Sequence, residues 1–343
     1  MAILVTLALL LTLTDLAVSS SVTGPKPAIL DWNHIKHVIA FGDSYTYVQG
    51  THGRQNYSFI GDNQNFAFTP QQLLSDRIVQ NQTGTSAGGP NWLEYLTQCG
   101  LKPGLTSPRD CQTQLWDFAF AGADITEELL PLHHNFSVQL DKQVEQFKIY
   151  ANPVLEKRPV KINKEKTVVA VWIGINDIND SAKMVVDFAE FYDQLMKHLF
   201  TAMKQVSSLG YKKFLFMNLP PLDRTPANLV RTGGALPSKT MVDQYNTALS
   251  KHASSFAKKH SGTWSGVFDV NSYLNTVLDS AEGYGIKNVT GYCAAYNQPD
   301  IDADPGKYGC LPLKEYFWYN SGHVTSRVHE ILAGQLEKWL RRQ

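Results

Sequence analysis

Five short apolar runs, spaced along the chain and separated by amphipathic stretches, constrain the fold more than any other feature of the sequence. They are "HVIAF" (37–41), "LWDFAF" (115–120), "TVVAVWIG" (167–174), "KKFLFMNL" (212–219) and "WSGVFDV" (264–270). Each is rich in β-branched and aromatic residues and is apolar without alternation, as a strand buried on both faces must be. Between them lie helical patterns. The clearest is "VDFAEFYDQLMKHLFTAMKQVSSLG" (186–210), with Gly210 as its stop; "MVDQYNTALSKHASSFAKKH" (241–260) precedes the fifth run in the same way. A final pattern over 326–342 sets Val328, Ile331, Leu332, Leu336 and Trp339 on one face. Strands alternating with helices predict one α/β domain over residues 21–343, with a parallel sheet and right-handed crossovers. Long loops over 49–89 and 280–316 are where substrate contacts are expected.

Composition narrows the function. With 31 basic and 31 acidic residues the formal charge is zero, which argues against a nucleic-acid partner. The 43% hydrophobic content supports a substantial core. Residues 1–20 read as a secretory signal peptide: an apolar stretch from Ala2 to Leu13 leads into small residues, Ala17 to Ser21. That stretch is too short, and too interrupted at Asp15, to anchor the chain stably in a bilayer. A secreted, extracellular monomer is expected. Four cysteines fall in two close pairs, Cys99 with Cys111 and Cys293 with Cys310; local pairing is expected, although four cysteines allow three connectivities. No CxxC occurs, so zinc is not expected. Sequons at Asn56, Asn81, Asn135, Asn179 and Asn288 suit a glycoprotein.

In an open parallel sheet, catalytic groups gather at the carboxyl ends of the strands. The first run delivers Gly42-Asp43-Ser44 there, the second Ala121-Gly122-Ala123, and the third Gly174-Ile175-Asn176-Asp177. His323 comes just ahead of the last helix. Serine, glycine, asparagine and histidine are the residue types for a nucleophile, two oxyanion donors and a base.

These blocks, "FGDSYT", "FAFAGADI", "WIGINDI" and "NSGHVT", occur in the order of the GDSL or SGNH hydrolases, which the chain resembles over most of its length. With "GGPNWLEYL" upstream, the wording is most similar to the secreted fungal branch that includes acetylesterases of carbohydrate esterase family sixteen. The resemblance implies a flavodoxin-like three-layer α/β/α sandwich. It also implies Ser44 as nucleophile, His323 as general base, and an oxyanion hole of the Ser44 and Gly122 backbone N–H groups with the Asn176 amide. The chain departs from the family at Asn320, where an aspartate usually stands three residues before the histidine. An asparagine can orient the ring but supplies no charge. Either Asn320 serves as the orienter, or a carboxylate from Asp300, Asp302 or Asp304 reaches the ring instead.

Other features have plainer readings. Asp43 reads as a structural carboxylate, and Asn176 or Asp177 as a possible helix cap. His133-His134 lacks a third ligand and reads as solvated loop. "GTSAG" (84–88) fits a nucleophile elbow letter for letter but lacks the flanking strand and helix that the motif needs, so Ser86 is a loop serine. Trp172 reads as core, whereas Tyr45, Tyr47, Trp318 and Tyr319 could line a pocket. The expected activity is that of a serine esterase without metal or organic cofactor. It would remove short acyl groups, acetyl above all, from carbohydrates, and lose activity as pH falls through ~6.5, the unperturbed imidazole value. A longer-chain esterase or lipase, or a catalytically weak carbohydrate-binding glycoprotein of the same fold, are the rival readings.

Overall fold

The computed structural model describes residues 29–61 and 69–343; the expected signal peptide lies outside them. Its strands are β1 (His37–Gly42), β2 (Ile78–Gln80), β3 (Gly104–Thr106), β4 (Gln114–Asp117), β5 (Thr167–Trp172), β6 (Lys213–Met217) and β7 (Trp264–Phe268). Five of them, one from each apolar run, form a sheet in the order β4-β1-β5-β6-β7. Every pairing in it is parallel. β1 and β5 are buried along their whole length, which is why their sequences do not alternate.

Helices cover both faces. Leu140–Gln146, Phe188–Ser208 and Lys239–Lys259 pack together on one side, and Trp92–Thr97 packs on Ser326–Leu340 on the other. This is the three-layer α/β/α arrangement expected, with the flavodoxin-like strand order. The chain starts at β1, steps to β4 at one edge, and then returns past β1 to build β5, β6 and β7. Strand order therefore reverses at the β1–β5 boundary, where a crevice for ligands opens.

Helix ends follow their local chemistry. Asp187 accepts hydrogen bonds from the Ala189 and Glu190 N–H groups at the start of Phe188–Ser208. Thr325 does the same for Val328 at the start of the last helix, whose Val328, Leu332 and Leu336 are fully buried. The segments read as long loops contain regular structure that periodicity could not show. β2 and β3 pair as a short antiparallel ribbon, and Pro70–Ser75 forms a capped helical turn. The sulfurs of Cys99 and Cys111 are bonded, as are those of Cys293 and Cys310. Among the described residues no helix is long and apolar enough to cross a membrane.

Where β1 ends, a side chain joins the sheet in holding its last residue. The Gly42 N–H donates to Gln143 Oε1 at 3.0 Å, and Gln143 Nε2 donates back to the Gly42 carbonyl at 2.9 Å. The Gly42 carbonyl also accepts the Phe120 N–H and Gln143 Nε2 also donates to the Val138 carbonyl, so deleting the buried amide removes the acceptor of the Gly42 N–H and one donor from each carbonyl. Gln143→Leu, nearly equal in volume, is expected to lower the unfolding free energy by about 1–3 kcal/mol, measured by urea denaturation; an unchanged midpoint would show that the clamp carries no stability.

Candidate active site

Ser44 stands on the turn that follows β1, and His323 reaches it from the other end of the chain. His323 Nε2 lies 2.8 Å from Ser44 Oγ, and His323 Nδ1 lies 3.0 Å from Asn320 Oδ1. The same Asn320 oxygen accepts the backbone N–H groups of Gly322 and His323, at 3.0 and 2.9 Å. Three donors converging on one atom identify it as the carbonyl oxygen, and an acceptor there requires the proton on Nδ1. Nε2 is then left with a lone pair facing the serine hydroxyl. The loop that presents both residues is closed by the Tyr319 N–H donating to the His323 carbonyl at 2.7 Å.

The acidic loop residues are elsewhere. Asp300 is bonded to Lys307 and to the Tyr308 hydroxyl, and Asp304 accepts the Lys307 N–H. Asn320 is thus the group on Nδ1. A neutral partner leaves burial as the dominant influence, and burial pushes the His323 pKa down to about 4. The value of ~6.5 expected for an unperturbed ring is corrected accordingly. His329 behind it, also buried and neutral, is pushed down to about 3.

The three expected oxyanion donors lie in the segments that follow β1, β4 and β5. Neither the Ser44 N–H nor the Gly122 N–H has an acceptor among the described residues. Gly122 has φ +82°, a backbone conformation that disfavours a side chain, and a Cβ there would come within 3.3 Å of the His133 and His134 rings. Asn176 Nδ2 donates to the Ala123 carbonyl at 2.9 Å, which orients the amide and leaves its second N–H for the crevice. Asn176 is not the helix cap, and nor is Asp177. The helix Ile175–Ser181 starts from Gly174, while Asp177 Oδ1 accepts the Ile125 N–H at 3.0 Å. Gly174 has φ +114° and lies against the Tyr245 hydroxyl, which a Cβ would overlap.

Buried carboxylates flank every block. Asp43 Oδ1 accepts the Tyr45 N–H, and Ile175 supplies a further backbone donor. Asp117 accepts the Val48 and Ala119 N–H groups. Burial raises Asp43 to about 7 and Glu94 to about 8, and raises Asp117 well above the usual carboxylate range. Asp124 and Asp177 are raised by burial and, for Asp124, by the Asp177 charge.

Two expectations for neighbouring residues change. Tyr45, Tyr47, Trp318 and Tyr319 are all buried. Tyr45 instead packs 5.2 Å from the His323 ring and donates to the Gly322 carbonyl at 2.5 Å, steadying the base. His133 and His134 are not simply solvated loop; they form a wall beside Gly122. His133 Nδ1 is 3.0 Å from Asp180 Oδ2, which raises its pKa, and His134 stacks on Phe136 with Tyr57 at its edge. No local signal marked them, because the wall forms only when residues 57, 120, 133–136 and 180 meet. Among the described residues no group of three or more ligating side chains could hold a metal. Ser86 lies in the loop between β2 and Trp92–Thr97, where its hydroxyl partners Tyr47.

Ser44 and His323, in hydrogen-bond contact at the switch point of a flavodoxin-like sheet, stand where hydrolases of the α/β/α class place their chemistry. The chain matches the GDSL-like lipase/acylhydrolase family over residues 38–335 and belongs to it. It is 24% identical to an acetylesterase of Thermothelomyces thermophilus, covering 87% of this chain and 86% of that protein. An acetylesterase of Hypocrea jecorina is likewise 24% identical, over 90% and 88%. GDSL esterase/lipase 3 of Arabidopsis thaliana is 23% identical, over 80% and 82%. The protein is a carboxylic ester hydrolase.

Two pH dependences follow. A base at His323 would have to be neutral, so the acid limb of kcat/KM is expected near its pKa of about 4. Asn320→Asp places a charge on Nδ1 and should move that limb upward by about 1 unit or more; identical limbs would show that the residue at 320 does not tune the base. For stability, Asp43 and Glu94 have folded-state values above their unfolded ones, at about 7 and about 8. The native state then holds protons that the unfolded chain has released, and this stabilisation is lost as pH rises through the folded values. The two histidines act in the opposite sense only below ~6.5, where the unfolded imidazoles protonate. The unfolding free energy is therefore expected to decline from pH 6.5 to about 8. A flat or rising profile by urea denaturation contradicts this.

Proposed function

We propose that the protein is a secreted, glycosylated serine esterase that removes short acyl groups, acetyl above all, from carbohydrates by an acyl-enzyme mechanism. Ser44 Oγ attacks the ester carbonyl while its proton passes to His323 Nε2. The tetrahedral oxyanion is received by the Ser44 and Gly122 N–H groups and the free Asn176 N–H. As the intermediate collapses, His323 returns the proton to the departing alcohol. A water then gives its proton to the same nitrogen, attacks the acyl-serine, and releases the acid. Asn320 keeps the ring in the required tautomer throughout, offering the imidazolium a carbonyl dipole in place of a charge.

The observation that carries this reading is the continuous Ser44–His323–Asn320 contact, at 2.8 and 3.0 Å. The acetylesterase names of two relatives favour acetyl as the acyl group. Two disulfides favour an oxidising compartment, hence export. Asn56, Asn81 and Asn135 are exposed and Asn288 is half-buried at the surface, which suits glycans, whereas Asn179 Nδ2 donates to the Ile175 carbonyl at 2.7 Å.

Hydrolysis of 4-nitrophenyl acetate, compared with the octanoate and then with acetylated xylo-oligosaccharides, tests the substrate class. Ser44→Ala should reduce turnover by at least about 10³-fold. A rate unchanged in that variant would remove the mechanism, and a preference for octanoate would favour the lipase reading. Asn176→Ala, losing one oxyanion donor, should lower kcat by about 10²–10³-fold with KM little changed.

A further inference from the structure

A cavity of about 320 Å³ opens beside the histidine loop and takes in none of the groups assigned a catalytic role above. Ser321 and Gly322, which directly precede His323, form one side. Asn179 and Lys183 form the other, with Arg231 at the rim and Leu222 among the lining residues. Asn179 stands about one helical turn beyond Asn176, so the cavity continues the active-site crevice along that helix. Its volume sits at the low end of the roughly 300–1,000 Å³ of small-molecule sites.

The cleft is held in shape by hydrogen bonds across it. The Ala227 N–H donates to the Ser321 carbonyl at 3.1 Å. Asn228 Nδ2 donates to the Leu222 carbonyl at 2.6 Å, while its oxygen accepts the Leu236 N–H at 3.0 Å. Its charge is one-sided. Lys183 and Arg231 are its ionisable residues, no acid lines it, and neither cation has an ion-pair or side-chain hydrogen-bond partner among the described residues. Arg224, seven residues before Arg231, is by contrast occupied by Asp279 and Asn275, each at 2.8 Å.

Position assigns the cleft to one half of the substrate. His323 returns its proton to the leaving alcohol, so the cavity beside it faces that alcohol, while the acyl oxygen is held on the Gly122 side. We propose that this cleft is a subsite for an anionic group on the leaving alcohol, the carboxylate of a uronic acid unit on the acylated carbohydrate. The proposal rests on the carbohydrate-esterase reading above. The Arg231 guanidinium presents a planar fork that matches a carboxylate, Lys183 adds a second positive charge, and the half-buried Leu236 offers an apolar surface for a sugar face.

The test is a binding comparison that needs no turnover, on protein secreted from a bacterial host that adds no N-glycan at Asn179. Calorimetry compares an unacetylated xylo-oligosaccharide carrying one glucuronic acid branch with the unbranched oligosaccharide of the same length. The branched one should bind roughly three- to tenfold more tightly at low salt, with the advantage shrinking as ionic strength rises. In Lys183→Ala/Arg231→Ala the advantage should vanish. The ratio of the two Kd values is the readout, so a general loss of folded protein does not affect it. Equal binding of both, no binding of either, or an advantage that survives the double substitution overturns the subsite. Loss of the esterase reading shows separately, as failure to hydrolyse 4-nitrophenyl acetate.

Discussion

A parallel sheet buried on both faces must still satisfy its backbone where the strands stop, and the rest of this structure depends on how that is done. Past Gly42, Asp117 and Trp172 the ladder ends inside the protein, where an unpaired N–H or C=O costs about as much as a lost hydrogen bond. Buried side chains take over. Gln143 clamps Gly42, and Asn91 donates to the Thr46 and Tyr47 carbonyls at 2.8 and 2.9 Å. Asp117 takes the Val48 N–H and Asp177 the Ile125 N–H. Each of these ties the end of one strand to the segment after another, so the Ser44 turn, the Gly122 turn and the Asn176 helix are fixed relative to one another. The donors left unpaired, at Ser44 and Gly122, are those a reacting oxygen would take.

That device has an electrostatic consequence. Asp43, Asp124 and Asp177 are buried close enough for their charges to interact, and each gives one oxygen to a backbone donor or to Gln139. For Asp43, Asp124 and Asp177 the other oxygen has no partner among the described residues. Several like charges so placed cannot all be ionised, and protonation is the cheaper state. Burial thus shifts the carboxyls behind the site toward their neutral form. This spares the oxyanion a repulsive field from the residues that position its donors.

How much of this was legible differs between strand and site. The five sheet strands were readable because burial on both faces leaves an unbroken apolar signature, and 37–41 and 167–174 lie within two residues of β1 and β5. The β2–β3 ribbon was not readable, since its three-residue strands have no period to detect. Ser44, Gly122, Asn176 and His323 could be singled out because each sits at a predictable break between a strand and a helix. The wall of His133, His134 and Tyr57, and the clamps at Gln143 and Asn91, could not. Their residue types are ordinary in loops and helix starts, and only tertiary approach gives them a partner. Tyr45 and Trp318 show the opposite error: aromatics beside catalytic residues need not line a pocket, because the same rings can be what holds the catalytic loop in place.

Asparagine at 320 is consistent with that packing rather than a defect in it. The His323 ring lies against Tyr45, which in turn meets Trp172 at 5.2 Å and His329 at 6.0 Å. An aspartate facing so apolar a shell would itself need desolvating, and would hold His323 as a cation over more of the acidic range. The asparagine oxygen makes the same three hydrogen bonds at no cost in buried charge, and keeps Nε2 unprotonated down to about pH 4. What it gives up is stabilisation of the imidazolium once the serine proton has moved. Under the proposed mechanism the balance favours a base that stays neutral over one that is strong.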